Sequence, residues 1–232
     1  MRILLAPEDR PTGPGRTSEK EESMESQARG GTRWKRFAVV MVPSLAATAA
    51  IGVALSQGAL AASFSVSGQE FKVTADRLEG TGFVQYGGVD SGHDLEGNEA
   101  TRPVAISAFK DAKINGMCQS VVTPDVPLIG SVSLVLTAGD DKPVEAKNLY
   151  IDIAQLDADA TFENINIGVA AGSSTKGPGI GKGDKANPNG FAQEADKAIL
   201  TDVKQTAWAT SAGTFKLSGL SMKLHKGVKE CF

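Results

Sequence analysis

Apolar and polar residues alternate through most of the chain beyond residue 62, with a period of two rather than 3.6. In Leu149-Tyr150-Ile151-Asp152-Ile153 the aliphatic residues stand two apart and share a face. The pattern slips by one and resumes at Leu156, Ala158, Ala160 and Phe162, then slips again to Ile165, Ile167 and Val169. Each slip reverses the apolar face, so a bulge or corner is expected near Gln155 and near Asn164. The same texture marks Phe71 and Val73, then Val132, Leu134 and Leu136, then Phe215 and Leu217, and finally Leu220, Met222 and Leu224. Asn115-Gly116 has the composition of a tight hairpin turn. One short helix is expected over Ala192–Ala198, where Ala, Gln, Glu and Lys are concentrated. Three look-alike segments, beginning at Thr74, Glu145 and Glu194, raise a strand-and-corner repeat. The fold expected is all-β and mostly antiparallel: a single domain built as a curved sheet, a sandwich or a solenoid-like stack, after an N-terminal apolar helix.

That helix is the run Phe37–Ala61, which holds no charged residue and follows Arg29, Arg33, Lys35 and Arg36. A basic flank, an apolar segment and the small-x-small exit Ala59-Leu60-Ala61 are the parts of a signal peptide, cut before Ala62. The run is also long enough to remain as a membrane anchor. Residues 1–36 then form a disordered, basic leader on the cytoplasmic side. Within it Met24 stands where the n-region of a signal peptide would begin. The β domain is expected to span residues 62–232 on the far side of the membrane, secreted or held at its outer face.

Composition narrows the classes further. The 171 residues after Ala61 hold 16 of the 24 Lys/Arg and 21 of the 27 Asp/Glu, a formal net charge near −5. Such a domain is large enough for a proper core and has no basic footprint for nucleic acid. Both cysteines, Cys118 and Cys231, fall in this part. In an exported protein an even count reads as a disulfide; the alternative is two buried free thiols.

Candidate chemistry is sparse. The hydrolase elbow G-x-S-x-G is missing; Gly88-Val89-Asp90-Ser91-Gly92 has its serine in the wrong slot. Ser91, His93 and Asp94 are close in sequence, but triads converge from separate segments, and a solvated turn is expected here. His225 is the only other histidine, which leaves no His/Cys metal cluster and no catalytic residue to assign. The stretch GSSTKGPGIGKGDKANPNG at residues 172–190 fails both the Walker and the calcium-loop spacing. It reads as a long mobile surface loop whose Lys176, Lys182 and Lys185 are candidates for contact with lipid headgroups or wall polymers. Asp152, Asp157, Asp159 and Glu163 alternate with apolar residues as a solvated sheet face does. On that reading Ile151→Asp unfolds the domain and Asp152→Ala is nearly silent. Trp208, among small residues, is expected to anchor the core. No cofactor motif is present.

The strings MESQARGGTRWKRFAVVMVP, LAASFSVSGQEFKV, VEAKNLYIDIAQLDADATFENINIGVAAGSSTKGPG and TDVKQTAWATSAGTFKLSGLSMKLHKGVKECF resemble an actinobacterial family of exported proteins, catalogued as a domain of unknown function. The resemblance runs over residues 24–232 and implies a start at Met24 and an envelope role beside integral membrane proteins. Some relatives carry the label cholesterol esterase, for which the missing elbow offers no support. Three functions are therefore expected, in this order: a non-catalytic envelope protein binding a lipid or other apolar molecule, an interaction module for a membrane partner, and a lipid-ester hydrolase. The oligomeric state is not legible.

Overall fold

The computed structural model describes residues 66–232, so the expectations for Met24, the apolar run and the cut at Ala59, Ala61 and Ala62 lie outside the described residues. Nine strands form one sheet in which every strand pairing is antiparallel: β1 (Phe71–His93), β2 (Glu99–Asn115), β3 (Met117–Val126), β4 (Gly130–Ala138), β5 (Val144–Glu163), β6 (Asn166–Ala170), β7 (Lys185–Ala186), β8 (Phe191–Lys216) and β9 (Ser221–Lys226). The all-β, antiparallel expectation holds.

Four long strands close on one another. β1 pairs with β2, β2 with β5, β5 with β8, and β8 returns to β1 along Phe71–Tyr86. The three look-alike segments fall in β1, β5 and β8. There β8 runs antiparallel to the other two in unrelated registers, with Leu78 opposite Leu200 and Glu145 opposite Lys216, so they are not copies of one stacking unit.

The phase slips appear where the alternation reverses. β5 is one 20-residue strand, and its register against β8 shifts between Asp152 and Gln155. At Asn164 the backbone turns through a left-handed residue, φ 53°, into β6. Asn115-Gly116 is not a hairpin. β2 and β3 continue along the same edge of β1, with Asn115 opposite Arg77 and Cys118 opposite Thr74. Gly116 (φ 58°) makes the step between them: its N–H donates to the Gly139 carbonyl at 3.1 Å, and a Cβ there would sit 2.1 Å from the Asp76 carboxylate.

Ala192–Ala198 is not helical either; it is the first third of β8. Its helix propensity amounts to a few tenths of a kcal/mol per residue. Against that stand ladder bonds to β1 and the complete burial of Ala192, Ala195 and Ala198, small enough to let neighbouring strands close over them.

Two cores result, one on each face of β1. The larger, inside the ring, includes Leu78, Phe83, Phe109, Leu149, Ile151 and Leu200. Phe83 packs its ring 5.2 Å from Phe109 and 5.3 Å from Phe162. The smaller core, around Val84, Tyr86, Val104 and Ile106, lies on the opposite face. Phe83 and Val84 are adjacent yet both buried, at 3% and 0% exposure. Each such side chain contributes roughly 1.5–3 kcal/mol by leaving water.

What covers the second core is the glycine- and lysine-rich segment, which is not the free surface loop expected of it. Ile180 and Ala186 pack on that core, and β7 pairs with Gly88 and Val89. Buried Glu194 accepts the N–H groups of Thr175 (2.6 Å) and Lys176 (2.9 Å), tying the segment to β8. Burial on its own would raise the Glu194 pKa, but these bonds and the Asn166 amide outweigh it and hold it below the usual range.

At the C-terminus Cys118 and Cys231 stand at disulfide distance, Cα–Cα 6.0 Å. The final residues lie across β3 and β4. The N–H groups of Lys229 and Cys231 donate to Ser133 Oγ (2.8 Å) and Ser120 Oγ (3.0 Å), two serines otherwise shut away from solvent.

Candidate functional site

Inside the ring the side chains do not fill all the space. A cavity of about 140 Å³ remains, walled chiefly by Leu78, Phe83, Phe109, Ile151, Ile153, Phe162, Leu200 and Val203. These come from all four ring strands, and β1, β5 and β8 each change inward parity once, between Leu78 and Phe83, between Ile153 and Phe162, and between Leu200 and Val203, with left-handed residues at Gly82 and Asp202 marking the change on β1 and β8. Two features give the cavity a direction. One side is polar: Gln193 Nε2 donates to Gln85 Oε1 at 2.7 Å and Gln85 Nε2 donates to Ser107 Oγ at 2.7 Å, while buried Gln205 lines the cavity well away from them, opposite Val73 on β1 and Leu156 on β5. The other side ends at the far half of β5. The pairing of β5 with β2 stops at Ile153, so residues beyond it are bonded only to β8. There Ala158 and Ala160 line the cavity and yet are exposed, which makes this edge the mouth.

A second constellation lies on the opposite face, where the glycine-rich segment meets β1 and β5. The Tyr86 hydroxyl donates to Asp184 Oδ2 at 2.5 Å and accepts the Gly181 N–H at 2.9 Å. Burial, then the bond to Asp184, pushes the Tyr86 hydroxyl well above the usual tyrosine range. Asp90 and Asp152 face the same carboxylate. Burial, then the charges of Asp90 and Asp184, pushes Asp152 up to about 7. Asp90 is raised by burial and by Asp184, and Arg102 opposes the shift. Arg102 lies 4.1 Å from the ring centre of Trp208. Asp90 Oδ2 and Arg102 Nη1 are buried without a hydrogen-bond partner.

The residues singled out from sequence fall in several places. Asp157, Asp159 and Glu163 are exposed, as a solvated face requires, but Asp152 is half-buried among like charges. The acids sharing its environment, Asp90 on β1 and Asp184 in the segment before β7, are far away in sequence, so alternation along β5 gave no sign of them. Ser91 Oγ accepts Lys185 Nζ at 2.8 Å, and Asp94 caps the β1–β2 turn by accepting the Asn98 N–H at 2.7 Å. His93 is exposed beside them, and His225 lies on β9. Lys176 bonds the Asn164 carbonyl and pairs with Asp196 at 3.3 Å; Lys182 is exposed on the same segment. Trp208 is half-buried against the second core. Gln85, Ser107 and Gln205 were missed. They sit at inward positions of strands whose other inward residues are apolar, and that mismatch was the available signal.

Among the described residues no group of three or more His, Cys, Asp or Glu side chains is arranged to hold a metal ion, and no helix is long and apolar enough to cross a membrane. A ring of antiparallel strands around an apolar hollow with a polar wall defines the class. The chain matches DUF6230, a family of unknown function, over residues 67–232, and belongs to it. No curated protein and no solved structure matches the chain.

Proposed function

We propose that this protein is an exported, non-catalytic component of the cell envelope that holds an apolar molecule in the hollow of its β ring. The observation that carries the reading is the cavity itself. An apolar void of about 150 Å³ in a protein interior stays dry and takes up a benzene-sized guest. At about 140 Å³ the hollow of this ring matches that volume. It fits a small apolar molecule or the last few carbons of a lipid chain, not a whole lipid. The mouth at Ala158 and Ala160 leaves the rest of a longer ligand outside, and the Gln85–Ser107 wall offers hydrogen bonds to a polar group on the guest.

Export is supported by the apolar run at residues 37–61 and by the cysteine pair, whose geometry suits an oxidising compartment. The test is mass spectrometry, under native conditions, of residues 62–232 isolated gently from an actinobacterial host. A stoichiometric apolar adduct is expected. A ligand-free protein whose cavity also refuses small apolar probes such as benzene or xenon would contradict the reading.

A further inference from the structure

The strands outside the ring end in a patch that neither core uses. The β3–β4 turn carries Leu128, fully exposed, and Ile129 at 49%. Beside it runs β9, since Lys226 lies opposite Val132 and the Gly227 N–H donates to the Ser131 carbonyl at 2.7 Å. This brings Val228 to the turn and sets Leu224 and Met222 further down the same strand, all three more than half exposed. Lone exposed aliphatics are ordinary; five grouped along one tip and edge are not. Leu128 also holds φ at 69°, a left-handed backbone that a leucine rarely adopts. It is both strained and unburied, so the fold gains nothing from keeping it there.

Charge selects the occupant. Lys223, Lys226 and Lys229 are interleaved with Met222, Leu224 and Val228, and residues 217–229 hold no acid. On the adjoining hairpin, residues 119–137, the one acid is Asp125. In a chain with a net charge of −3 this is a locally cationic surface. The patch lacks Tyr, Trp and Arg, the usual anchors of protein–protein contacts, and it projects as a tip rather than a flat face. Aliphatic side chains that enter the acyl region, with lysines whose stems lie along them and whose ammonium groups reach headgroups, suit an anionic bilayer.

We propose that the β3–β4 tip and β9 dock on an anionic lipid surface, with Leu128 and Ile129 entering it and Lys223, Lys226 and Lys229 meeting the headgroups. This surface is separate from the residues that line the cavity, and the proposal stands whether or not the cavity binds a guest.

The test places an environment-sensitive fluorophore on the full chain through Leu128→Cys, with Glu96→Cys in the exposed β1–β2 turn as the control. Each labelled protein is reconstituted in phosphatidylcholine vesicles with or without phosphatidylglycerol. The expected result is a blue shift and quenching by brominated lipid at position 128, on the anionic vesicles only, with position 96 unchanged. Combining Lys223→Gln, Lys226→Gln and Lys229→Gln should lower the inserted-to-free ratio at 128 at least tenfold, with an unchanged melting temperature showing that the fold is intact. A probe at 128 that stays in water on both vesicle types overturns the proposal, as does a shift indifferent to lipid charge and to the lysines. Shielding of position 128 that rises with protein concentration and needs no lipid overturns it in favour of a second copy of the chain.

Discussion

Asp152→Asn should stabilise the protein at pH 8 and leave it nearly unchanged at pH 4. In the unfolded chain this carboxyl ionises near 3.8, whereas in the fold it does so only at about 7, held back by burial and by Asp90 and Asp184. Well below 3.8 both states carry the proton and the residue costs nothing, and at pH 4 the penalty has only begun to build. Between 4 and 7 the unfolded chain ionises first, so stability falls as pH rises, and above 7 the penalty is complete. Full linkage over that interval amounts to roughly 4 kcal/mol. Asp152 retains some contact with water, which reduces the figure to about 2 kcal/mol. An amide of the same shape removes the penalty. Thermal or urea unfolding of both proteins at pH 4 and pH 8 gives the answer, with an expected rise of about 4–8 °C in Tm at pH 8. An equal shift at both pH values, or a loss of stability at pH 8, would refute the placement of Asp152 among like charges.

Three further changes probe the rest of the fold. Ile151→Asp puts an unpaired charge into the ring core, where Ile151 is 4% exposed; a loss of several kcal/mol is expected, read as a collapse of the melting transition at pH 8. Glu194→Ala removes the acceptor for the Thr175 and Lys176 N–H groups. Trypsin should then cut after Lys176 and Lys182 markedly faster while the ring strands stay protected, with a stability cost of about 1–3 kcal/mol. Replacing both Cys118 and Cys231 by serine frees the C-terminal residues from β3. On the chain-entropy account a loop of 113 residues is worth roughly 4–5 kcal/mol, visible as a lower urea midpoint.

The strands were legible because their inward residues repeat every second position, and even the bulge before Gln155 and the corner at Asn164 follow from the phase of that repeat. Closure of the ring was not. Nothing local in Phe71–Tyr86 says that β2 will lie along one edge and β8 along the other. Alanines at 192, 195 and 198 read as helix formers because their advantage in a sheet, letting strands approach, exists only once the neighbours are in place. Asn115-Gly116 misled for a related reason: the dipeptide permits a left-handed step, and tertiary pairing decides whether that step is a hairpin or an offset within an edge. The cavity was foreshadowed only by the abundance of small residues. Its polar wall depends on Gln85 and Ser107 from paired strands, with Gln193 of a third strand bonded to Gln85, a coincidence visible in space and not along the chain.

The central claim is that the hollow of the ring holds an apolar guest, and Ala160 offers the most direct way to test it. Ala160→Phe places a ring at the mouth, on the part of β5 that is paired with β8 but no longer with β2, at a residue that lines the space but is exposed to solvent. Uptake of a small apolar probe should be measured on wild type and variant side by side, at matched melting temperature. Saturable binding by wild type and its loss by at least tenfold in Ala160→Phe is the predicted result. Equal binding by the two, or none by either, would contradict the account.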